Sequence, residues 1–310
     1  MKNMSYHLKK LETKLTIIDG KQIAAEIRAE LKLKVDKLKE DGNNIPGLVA
    51  ILVGEDPASN VYVSMKQKAC EEVGLFSKVD RLSADTTEED LLKLIDQYNN
   101  DNIYHGILVQ LPLPKHIDED KIIEAISPFK DVDGFHPINV GKMVIGKETL
   151  YPCTPFGVVE LLKRYKIETK GKHVVVVGRS NIVGKPVANM LLQKKAGANA
   201  VVTVVHSAAK DLSSITKQAD ILIAAIGVPE FIKANMVKDN VVIIDVGVNR
   251  VEDASKKSGY KLVGDVDFEN VSKKASFITP VPGGVGPMTI AMLLQNTYTA
   301  YLKGNDIVQQ

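Results

Sequence analysis

Short runs of Val, Ile and Leu alternate with amphipathic helical stretches along most of this 310-residue chain. Each run is too short for a buried helix and is bounded by turn residues, so we interpret it as a strand. Regular alternation of strands and helices predicts parallel strands covered by helices, which is the α/β class. In the first half, the predicted helices are 21–39, one from about Ser59, and 88–98 with Thr86 or Thr87 as its cap, and the predicted strands are 48–53, 78–82 and 106–111.

A second series of the same kind follows a Pro- and Gly-rich passage at 127–155. We interpret this passage as a crossing between domains, after which Thr154 and Pro155 are expected to cap and begin a helix. The strands that follow are apolar throughout, which is typical of strands covered by helices on both faces. They are predicted at 173–177, 200–205, 221–225 and 241–246.

Two α/β domains with a cleft between them are therefore predicted, the second built on a Rossmann-type, doubly wound parallel sheet. A chain of this length with 45% apolar residues can form two full cores. The first domain is assigned to residues 15–152 together with a returning C-terminal helix at 287–304, and the second to residues 153–286. Residues 1–14 are interpreted as a Lys-rich extension without the apolar core of a signal peptide.

Charge and cysteine content narrow the function classes. The chain has 40 Lys plus Arg against 38 Asp plus Glu, and a net charge of +2 gives no sign of a nucleic-acid partner. No apolar run reaches the length of a membrane span, so no membrane partner is expected. Cys70 and Cys153 stand far apart, without the spacing of a metal site or a disulfide framework, so no metal is expected and a reducing cytoplasm is favoured.

The predicted strand at 173–177 runs directly into a Gly-containing turn and a predicted helix. Gly178 would permit a tight turn, and Gly184 would let the helix pack closely, so that backbone N–H groups face a phosphate. The spacing departs from GxGxxG, because Ser180 occupies the place of the middle glycine. Taken alone, such a turn could equally be a packing feature.

The end of the next predicted strand indicates which nicotinamide cofactor is preferred. An NAD site usually has Asp or Glu there to bind the ribose 2′-OH, whereas this chain has His206 and Ser207. With Arg179 and Ser180 in the preceding turn, a 2′-phosphate would meet a guanidinium and hydroxyls, which favours NADP. The alternative is that Arg179 caps local carbonyls and His206 is an ordinary surface residue.

A candidate catalytic pair lies on the helix predicted from Ser59. Tyr62 and Lys66 are one turn apart, so a ring and an amine can meet the same ligand. Taken alone, such a pair is more often an amphipathic surface pair. Gln110, in a predicted strand, and Asp133, in a Gly-bounded turn, both occur where parallel strands end, which is the usual place of ligand sites.

From Ile17 to Leu302 the chain resembles the bifunctional methylenetetrahydrofolate dehydrogenase/cyclohydrolase family. The resemblance implies NADP-dependent oxidation of 5,10-methylenetetrahydrofolate and hydrolysis of the methenyl product to 10-formyltetrahydrofolate, in a homodimer formed through the cofactor domain. Only the N-terminal extension and the last few residues fall outside it. The segments that carry it are 53–59 with 62–66, 110–114, 131–134, 178–180 and 280–289, in the order and spacing of that family.

The resemblance also implies roles for individual residues. Tyr62 would stack on the folate and Lys66 would be the catalytic amine, while Gln110 would position Lys66 and Asp133 would hydrogen-bond the pterin. The folate pocket would be completed by Val109, Leu111, Pro282, Gly283 and Gly284. NADP would be surrounded by Gly178, Arg179, Ser180, Val183, Gly184, His206, Ser207, Ile226, Gly227, Val246 and Gly247.

The two reactions place different demands on these side chains. Hydride transfer needs the methylene carbon held against the nicotinamide rather than a strong acid or base. The methenyl product is a cation, and a protonated amine about 4 Å away would be repelled by about 4 kcal/mol at an effective dielectric constant of about 20. Lys66 is therefore expected to be neutral enough to deprotonate the attacking water and later return a proton.

Two other functions fit part of the pattern. A shikimate-type NADP dehydrogenase shares the cofactor domain and an amine in the first domain, but Tyr62 with Lys66 and the Pro/Gly loop near the end distinguish this chain from it. A non-catalytic nucleotide-binding module is opposed by the presence of Lys66, Gln110 and Asp133. No GxxxxGK[ST] segment occurs, so ATP-dependent formate–tetrahydrofolate ligase activity is not expected.

Overall fold

The computed structural model describes residues 15–256 and 259–305, so the predicted extension 1–14 lies outside the described residues. The strands are β1 (Thr16–Ile17), β2 (Gly47–Val53), β3 (Phe76–Leu82), β4 (Gly106–Val109), β5 (His173–Val177), β6 (Val201–Val205), β7 (Ile221–Ala224), β8 (Val241–Asp245), β9 (Asn249–Glu252), β10 (Tyr260–Val263) and β11 (Ala275–Ile278). The helices are α1 (Gly20–Glu40), α2 (Pro57–Val73), α3 (Glu88–Asn100), α4 (Glu119–Ala125), α5 (Pro137–Val144), α6 (Cys153–Arg164), α7 (Gly184–Leu192), α8 (Leu212–Thr216), α9 (Phe268–Val271) and α10 (Val285–Gly304), with a 3₁₀ turn at Ala234–Met236.

Polar side chains fix where the first three helices begin. Asp19 before α1, Asp56 before α2 and Thr87 before α3 each accept a hydrogen bond from a backbone N–H of the first turn. These N–H groups have no partner within the helix, so the caps satisfy them. At its other end, α2 stops at Gly74, whose φ of 84° is a left-handed conformation that glycine adopts at little cost.

The first sheet has three parallel strands in the order β3-β2-β4. All residues of the central strand β2 are buried. Its even-numbered residues face a core shared with α1, α2 and α10, and its odd-numbered residues from Val49 face α3 and α4. Both faces of β2 are thus covered, which explains why its sequence is an unbroken apolar run.

The second sheet has six strands in the order β1-β11-β8-β7-β5-β6, and every neighbouring pair is parallel. After contributing the short edge strand β1, the chain builds the sheet from β5, adds β6 on one side and then returns to add β7, β8 and β11 on the other. This reversal is the switch point of a doubly wound Rossmann-type sheet. The predicted α/β class is confirmed, and β9 with β10 forms a separate antiparallel hairpin.

One continuous apolar core extends across the two sheets through α1, α6 and α10. The helix α10 packs along α1 and α6 and also contacts α2 and β4. The approach of α6 to α10 is close, because a Cβ at Gly157 would lie 2.7 Å from the Cβ of Met288. The chain's last helix therefore covers elements that lie near its beginning.

Two predicted elements differ from the structure. The strand β6 was predicted to be covered on both faces, but it lies at the edge of its sheet, and Val201 and Val204 are 59% and 40% exposed. The predicted cap Thr154 is also wrong. The helix α6 begins at Cys153 without a side-chain cap, and the Thr154 hydroxyl instead hydrogen-bonds that of Thr289 in α10 at 2.9 Å.

Cys70 and Cys153 are both free and buried. Burial raises the pKa of the Cys70 thiol to about 12, so this sulfur is held as an unreactive thiol. In the described part of the chain, no helix combines the length and apolar character needed to cross a membrane.

Candidate active site

Lys66 on α2 meets Gln110 at the end of the first sheet. The Lys66 Nζ donates a hydrogen bond to the Gln110 Oε1 over 3.0 Å. The Gln110 side-chain amide donates in turn to the Leu111 carbonyl at 2.7 Å, which turns its oxygen towards the amine. The predicted strand 106–111 ends at Val109 in the structure, but the Gln110 N–H still bonds the Ile51 carbonyl at 2.8 Å, so the sheet fixes its position.

Tyr62 lies one turn before Lys66 on α2 and is 49% exposed. The amine of Lys66, one turn further on, is oriented by the Gln110 side chain. An aromatic face of this kind is suited to stacking against a flat heterocycle. The face of α2 that carries Tyr62 and Lys66 can therefore serve a planar ligand.

Asp133 lies in a turn that Asp131 holds in shape. Asp131 is buried and pairs with Ile107 of β4 in a parallel bridge. Its carboxylate accepts the backbone N–H groups of Gly134, Phe135 and His136 at 3.1, 3.2 and 2.8 Å. Sequence reasoning missed Asp131, although it lies two residues before Asp133 in the same motif.

The Asp133 carboxyl is electrostatically coupled to Lys66. Burial raises the pKa of this carboxyl, the positive charge of Lys66 opposes the rise, and the negative charge of Asp131 adds to it. The Cys153 Sγ lies 3.9 Å from the Asp133 Oδ1, and burial raises the pKa of that thiol well above its usual value. The pocket therefore combines one amine, one amide oxygen and one carboxyl with a thiol that stays protonated.

The Pro/Gly loop at 280–284 connects β11 to α10. Its Gly283 carbonyl accepts the N–H of Lys21 at 3.0 Å, and a Cβ at Gly20 would overlap the Gly284 carbonyl oxygen. The loop is thus fixed against the start of α1, with Pro282 exposed. Within the described residues, no hydrogen bond joins this loop to Lys66, Gln110 or Asp133.

The turn after β5 has the close contacts that its glycines suggest. Gly178 has a φ of 126°, and a Cβ there would overlap the Ala225 carbonyl oxygen. A Cβ at Gly184 would overlap the Gly178 carbonyl oxygen, so only glycine lets α7 start this close to the strand. The start of α7 consequently presents backbone N–H groups at the carboxyl end of the sheet.

The polar side chains of this turn are available to a phosphate. Ser180 accepts the N–H groups of Val183 and Gly184 with its Oγ, at 3.2 and 3.3 Å, and keeps its own hydroxyl proton free to donate. Arg179 is exposed and forms no hydrogen bond or ion pair within residues 15–256 and 259–305, so it does not cap local carbonyls. His206 accepts the Ala208 N–H at 3.3 Å and shapes the turn after β6.

The remaining residues expected around the cofactor follow the neighbouring strands. Ile226 and Gly227 follow β7, and Val246 and Gly247 follow β8, so all four lie at the same edge of the sheet as Gly178. No group of three or more His, Cys, Asp or Glu side chains in the described part of the chain is arranged to hold a metal ion. These features fit a phosphate-bearing nucleotide.

Family models match most of the chain. Residues 18–133 match the model of the tetrahydrofolate dehydrogenase/cyclohydrolase catalytic domain, and residues 152–305 match that of the tetrahydrofolate dehydrogenase/cyclohydrolase NAD(P)-binding domain. The first match contains Tyr62, Lys66, Gln110 and Asp133, and the second contains the turn after β5.

Individual proteins give the same result. The chain is 59% identical over 295 residues to the bifunctional protein FolD of Chlorobium phaeobacteroides strain BS1, covering 94% of this chain and 99% of that protein. It is similar to the crystal structure of the bifunctional FolD methylenetetrahydrofolate dehydrogenase/cyclohydrolase of Campylobacter jejuni, with 53% identity, a TM-score of 0.88 and coverage of 94% and 100%. The Trypanosoma brucei methylenetetrahydrofolate dehydrogenase-cyclohydrolase, solved with NADP and an inhibitor, is 41% identical with a TM-score of 0.88 and coverage of 94% and 98%.

The environment of Asp133 predicts a pH dependence of ligand binding. Because the pKa of its carboxyl is raised, Asp133 takes up a proton at a higher pH than a free aspartate does. If Asp133 accepts pterin N–H groups, protonation of its carboxyl weakens that contact, so the affinity for folate should fall as the pH is lowered. Isothermal titration calorimetry measures this change. The Asp133→Asn variant has no carboxyl to protonate at this position, so any pH dependence that remains in it comes from folate itself. If the affinity of the wild-type protein followed the same pH curve as this variant, the role of Asp133 would be contradicted.

Proposed function

This chain belongs to the tetrahydrofolate dehydrogenase/cyclohydrolase family, and from that membership we propose how its own residues perform the family's two reactions. The protein is an NADP-dependent 5,10-methylenetetrahydrofolate dehydrogenase and a 5,10-methenyltetrahydrofolate cyclohydrolase of one-carbon metabolism. It oxidises the methylene derivative and hydrolyses the methenyl product to 10-formyltetrahydrofolate. Membership of this family favours that function over a shikimate-type dehydrogenase and over a non-catalytic module.

The folate lies on the exposed face of α2 and against the end of the first sheet. Tyr62 stacks on its ring system, and Asp133 accepts hydrogen bonds from the pterin. The exposed ring of Tyr62 and the position of Asp133 near Lys66 support these roles. The walls of this pocket are formed by Val109, Leu111, Pro282, Gly283 and Gly284.

NADP binds at the carboxyl end of the second sheet. The backbone of Gly178, Val183 and Gly184 faces its phosphates, while Arg179 and Ser180 bind the 2′-phosphate. In the described residues the Arg179 guanidinium has no partner, and Ser180 keeps a free hydroxyl proton. The remaining contacts come from His206, Ser207, Ile226, Gly227, Val246 and Gly247. Bound in this way, NADP supplies the hydride acceptor, and the chain's contribution is to orient the methylene carbon towards it.

Lys66 is the base of the hydrolysis step. Its 3.0 Å hydrogen bond to Gln110 is the observation that carries this role, because a fixed acceptor on one side of the amine leaves its lone pair directed elsewhere once it is neutral. The methenyl cation disfavours a protonated Lys66, since the two positive charges repel. Gln110 holds the nitrogen near the one-carbon unit and cannot itself take a proton.

The hydrolysis balances with a single amine. Lys66 removes a proton from the attacking water as the new oxygen–carbon bond forms at the methenyl carbon. The bond between that carbon and N5 then breaks, and the protonated amine returns its proton to N5. The hydroxyl proton of the intermediate leaves to solvent as the carbonyl forms. The one-carbon unit then remains on N10 as a formyl group, and Lys66 is neutral again for the next turnover.

We further propose the division into a folate domain of residues 15–152 with 287–304 and an NADP domain of residues 153–286, with the reaction in the cleft between them. The two separate sheets support this division, except that the short strand β1 of the first segment pairs with β11 in the second sheet. The helices α6 and α10 pack against each other across it, so they keep the two sites in a fixed relation.

A cytoplasmic location is also proposed. Both cysteines are buried as free thiols, which is the form that a reducing compartment maintains.

Substitution of Lys66 tests the proposed base. Lys66→Met should reduce methenyltetrahydrofolate hydrolysis by about 100-fold or more, since general-base catalysis contributes about that much, while hydride transfer is retained in part. Loss of the near-ultraviolet absorbance of the methenyl compound measures the hydrolysis. Lys68→Met, an exposed lysine on the same helix, is the matched control and should leave the rate unchanged. Unchanged hydrolysis in the Lys66 variant would refute the role.

Substitution of Arg179 tests cofactor selection. Arg179→Ala removes a charge-assisted hydrogen bond to the 2′-phosphate, so the KM for NADP should rise by about tenfold or more, with the KM for NAD changed by about twofold at most. Arg179→Lys keeps the charge but not the planar fork and should lie between the two. Formation of reduced nucleotide with each cofactor measures the effect. An equal rise for NADP and NAD would show that Arg179 does not select the phosphate.

We also propose that the enzyme is a homodimer formed through the NADP domain. The strand β6 supports this assembly, because in the described part of the chain no strand pairs with its outer edge, and its side chains Val201 and Val204 are exposed. Sedimentation velocity should give the mass of two 33.9 kDa chains, and Val204→Lys should shift the particle towards one chain. A single-chain mass for the wild-type protein at micromolar concentration would contradict the proposal.

A further inference from the structure

Asp265 lies between β10 and α9 and is completely buried, with 0% exposure. Its Oδ2 accepts the backbone N–H groups of Ile226 and Gly227 at 2.7 and 2.9 Å. Its Oδ1 accepts the side-chain amide of Asn249 at 2.9 Å. Both oxygens of the buried carboxylate therefore have protein partners, and they connect it to the loop after β7.

These hydrogen bonds fix the orientation of the peptide groups after β7. In a trans peptide, the N–H and the carbonyl of the preceding residue point in opposite directions. The Ala225 carbonyl is therefore directed away from Asp265, because the Ile226 N–H points towards it. That carbonyl lies against Gly178, where a Cβ would overlap its oxygen. Through one peptide group, Asp265 determines how the loop meets the phosphate turn.

A second carboxylate supports the first. Asp245, the last residue of β8, is 3% exposed, and its Oδ1 accepts the N–H groups of Gly247 and Asp265 at 3.0 and 2.9 Å. Its Oδ2 accepts the Val266 N–H at 2.9 Å. Burial raises the pKa of Asp245 to about 7; these N–H groups oppose the rise, and the charge of Asp265 adds to it. Asp245 thus holds the backbone that carries Asp265.

Two adjacent buried carboxylates are an unfavourable way to stabilise a fold. Within residues 15–256 and 259–305, neither Asp245 nor Asp265 belongs to an ion pair. Each charge is compensated only by N–H donors, at a desolvation cost that apolar packing would avoid. What the arrangement does provide is a defined conformation for loops at the cofactor edge of the sheet.

We propose that Asp265 is a positioning residue for hydride transfer, which holds the Ile226–Gly227 main chain in the conformation that receives the nicotinamide cofactor without touching the cofactor itself. This inference rests on the proposed function, in which Ile226 and Gly227 contact NADP. The hydrolysis of methenyltetrahydrofolate does not consume NADP, and no hydrogen bond joins Asp265 to Lys66 or Gln110 in the described part of the chain. The two activities of the enzyme should therefore respond differently when Asp265 is changed.

The test compares two substitutions at this position. Asp265→Ala removes the single oxygen, Oδ2, that accepts both the Ile226 and Gly227 N–H groups, whereas Asp265→Asn can still accept them with its one amide oxygen. The loss of two hydrogen bonds should raise the KM for NADP about tenfold or more in the alanine variant, and about threefold at most in the asparagine variant. In both variants, methenyltetrahydrofolate hydrolysis should stay within about twofold of the wild-type rate. Asp267→Ala, two residues further on, is the matched control and should alter neither activity.

Three results would overturn the proposal. An unchanged KM for NADP in the alanine variant would show that the loop does not depend on Asp265. Equal losses of hydride transfer and hydrolysis would show that Asp265 only maintains the fold, and an asparagine variant as impaired as the alanine variant would show that the N–H contacts are not what matters.

A further variant keeps the test decisive if Asp265→Ala does not fold. Asn249→Ala leaves the carboxylate in place but removes one of its three donors, so the KM for NADP should rise by about two- to fivefold with hydrolysis unchanged. No rise would overturn the proposal. A wild-type enzyme unable to reduce NADP would instead refute the proposed function, so the two failures are distinguishable.

Discussion

Backbone N–H groups that follow the carboxyl ends of buried parallel strands need acceptors within the protein where water does not reach them. Three buried aspartates meet this requirement in the two sheets. Asp131 receives three successive N–H groups beside the first sheet, and Asp245 and Asp265 receive five backbone N–H groups between them beside the second. The loops that carry Asp133, Gly227 and Gly247 take their shapes from these carboxylates. The loops of both sheets that carry the candidate site residues therefore depend on the same interaction.

Local patterns were enough to predict the architecture. The strand predicted at 173–177 from its Val-rich run has the same bounds as β5. The turn from Gly178 to Gly184 has the close contacts that two glycines at this spacing suggest. The contact between Lys66 and Gln110 joins residues 44 positions apart. It was anticipated because a helix position and a strand end converge at the same edge of a parallel sheet, and because the motif resembled a known family.

The features that the sequence did not reveal depend on distant partners. An aspartate in a turn usually caps its own neighbours at the surface, so nothing local distinguishes Asp265, whose acceptor oxygen serves N–H groups 38 and 39 positions earlier. The exposure of β6 follows from strand order, which a single Val-rich run does not encode. Thr154 is a residue type that often caps helices, but its hydroxyl hydrogen-bonds that of Thr289, because α6 and α10 pack together.

The packing of α10 affects how the protein can be synthesised. This helix, at residues 285–304, covers α1, α2 and β4, which leave the ribosome much earlier. Until it emerges, the apolar surfaces of those elements that face α10 are uncovered, and the nascent first half is open to misassociation. The NADP-binding half is synthesised between these segments, so all of its strands have been made before α10 emerges. Completion of the first half is thus delayed to the end of translation, so a chain that ended before α10 would leave the faces of α1, α2 and β4 that pack on this helix without their partner.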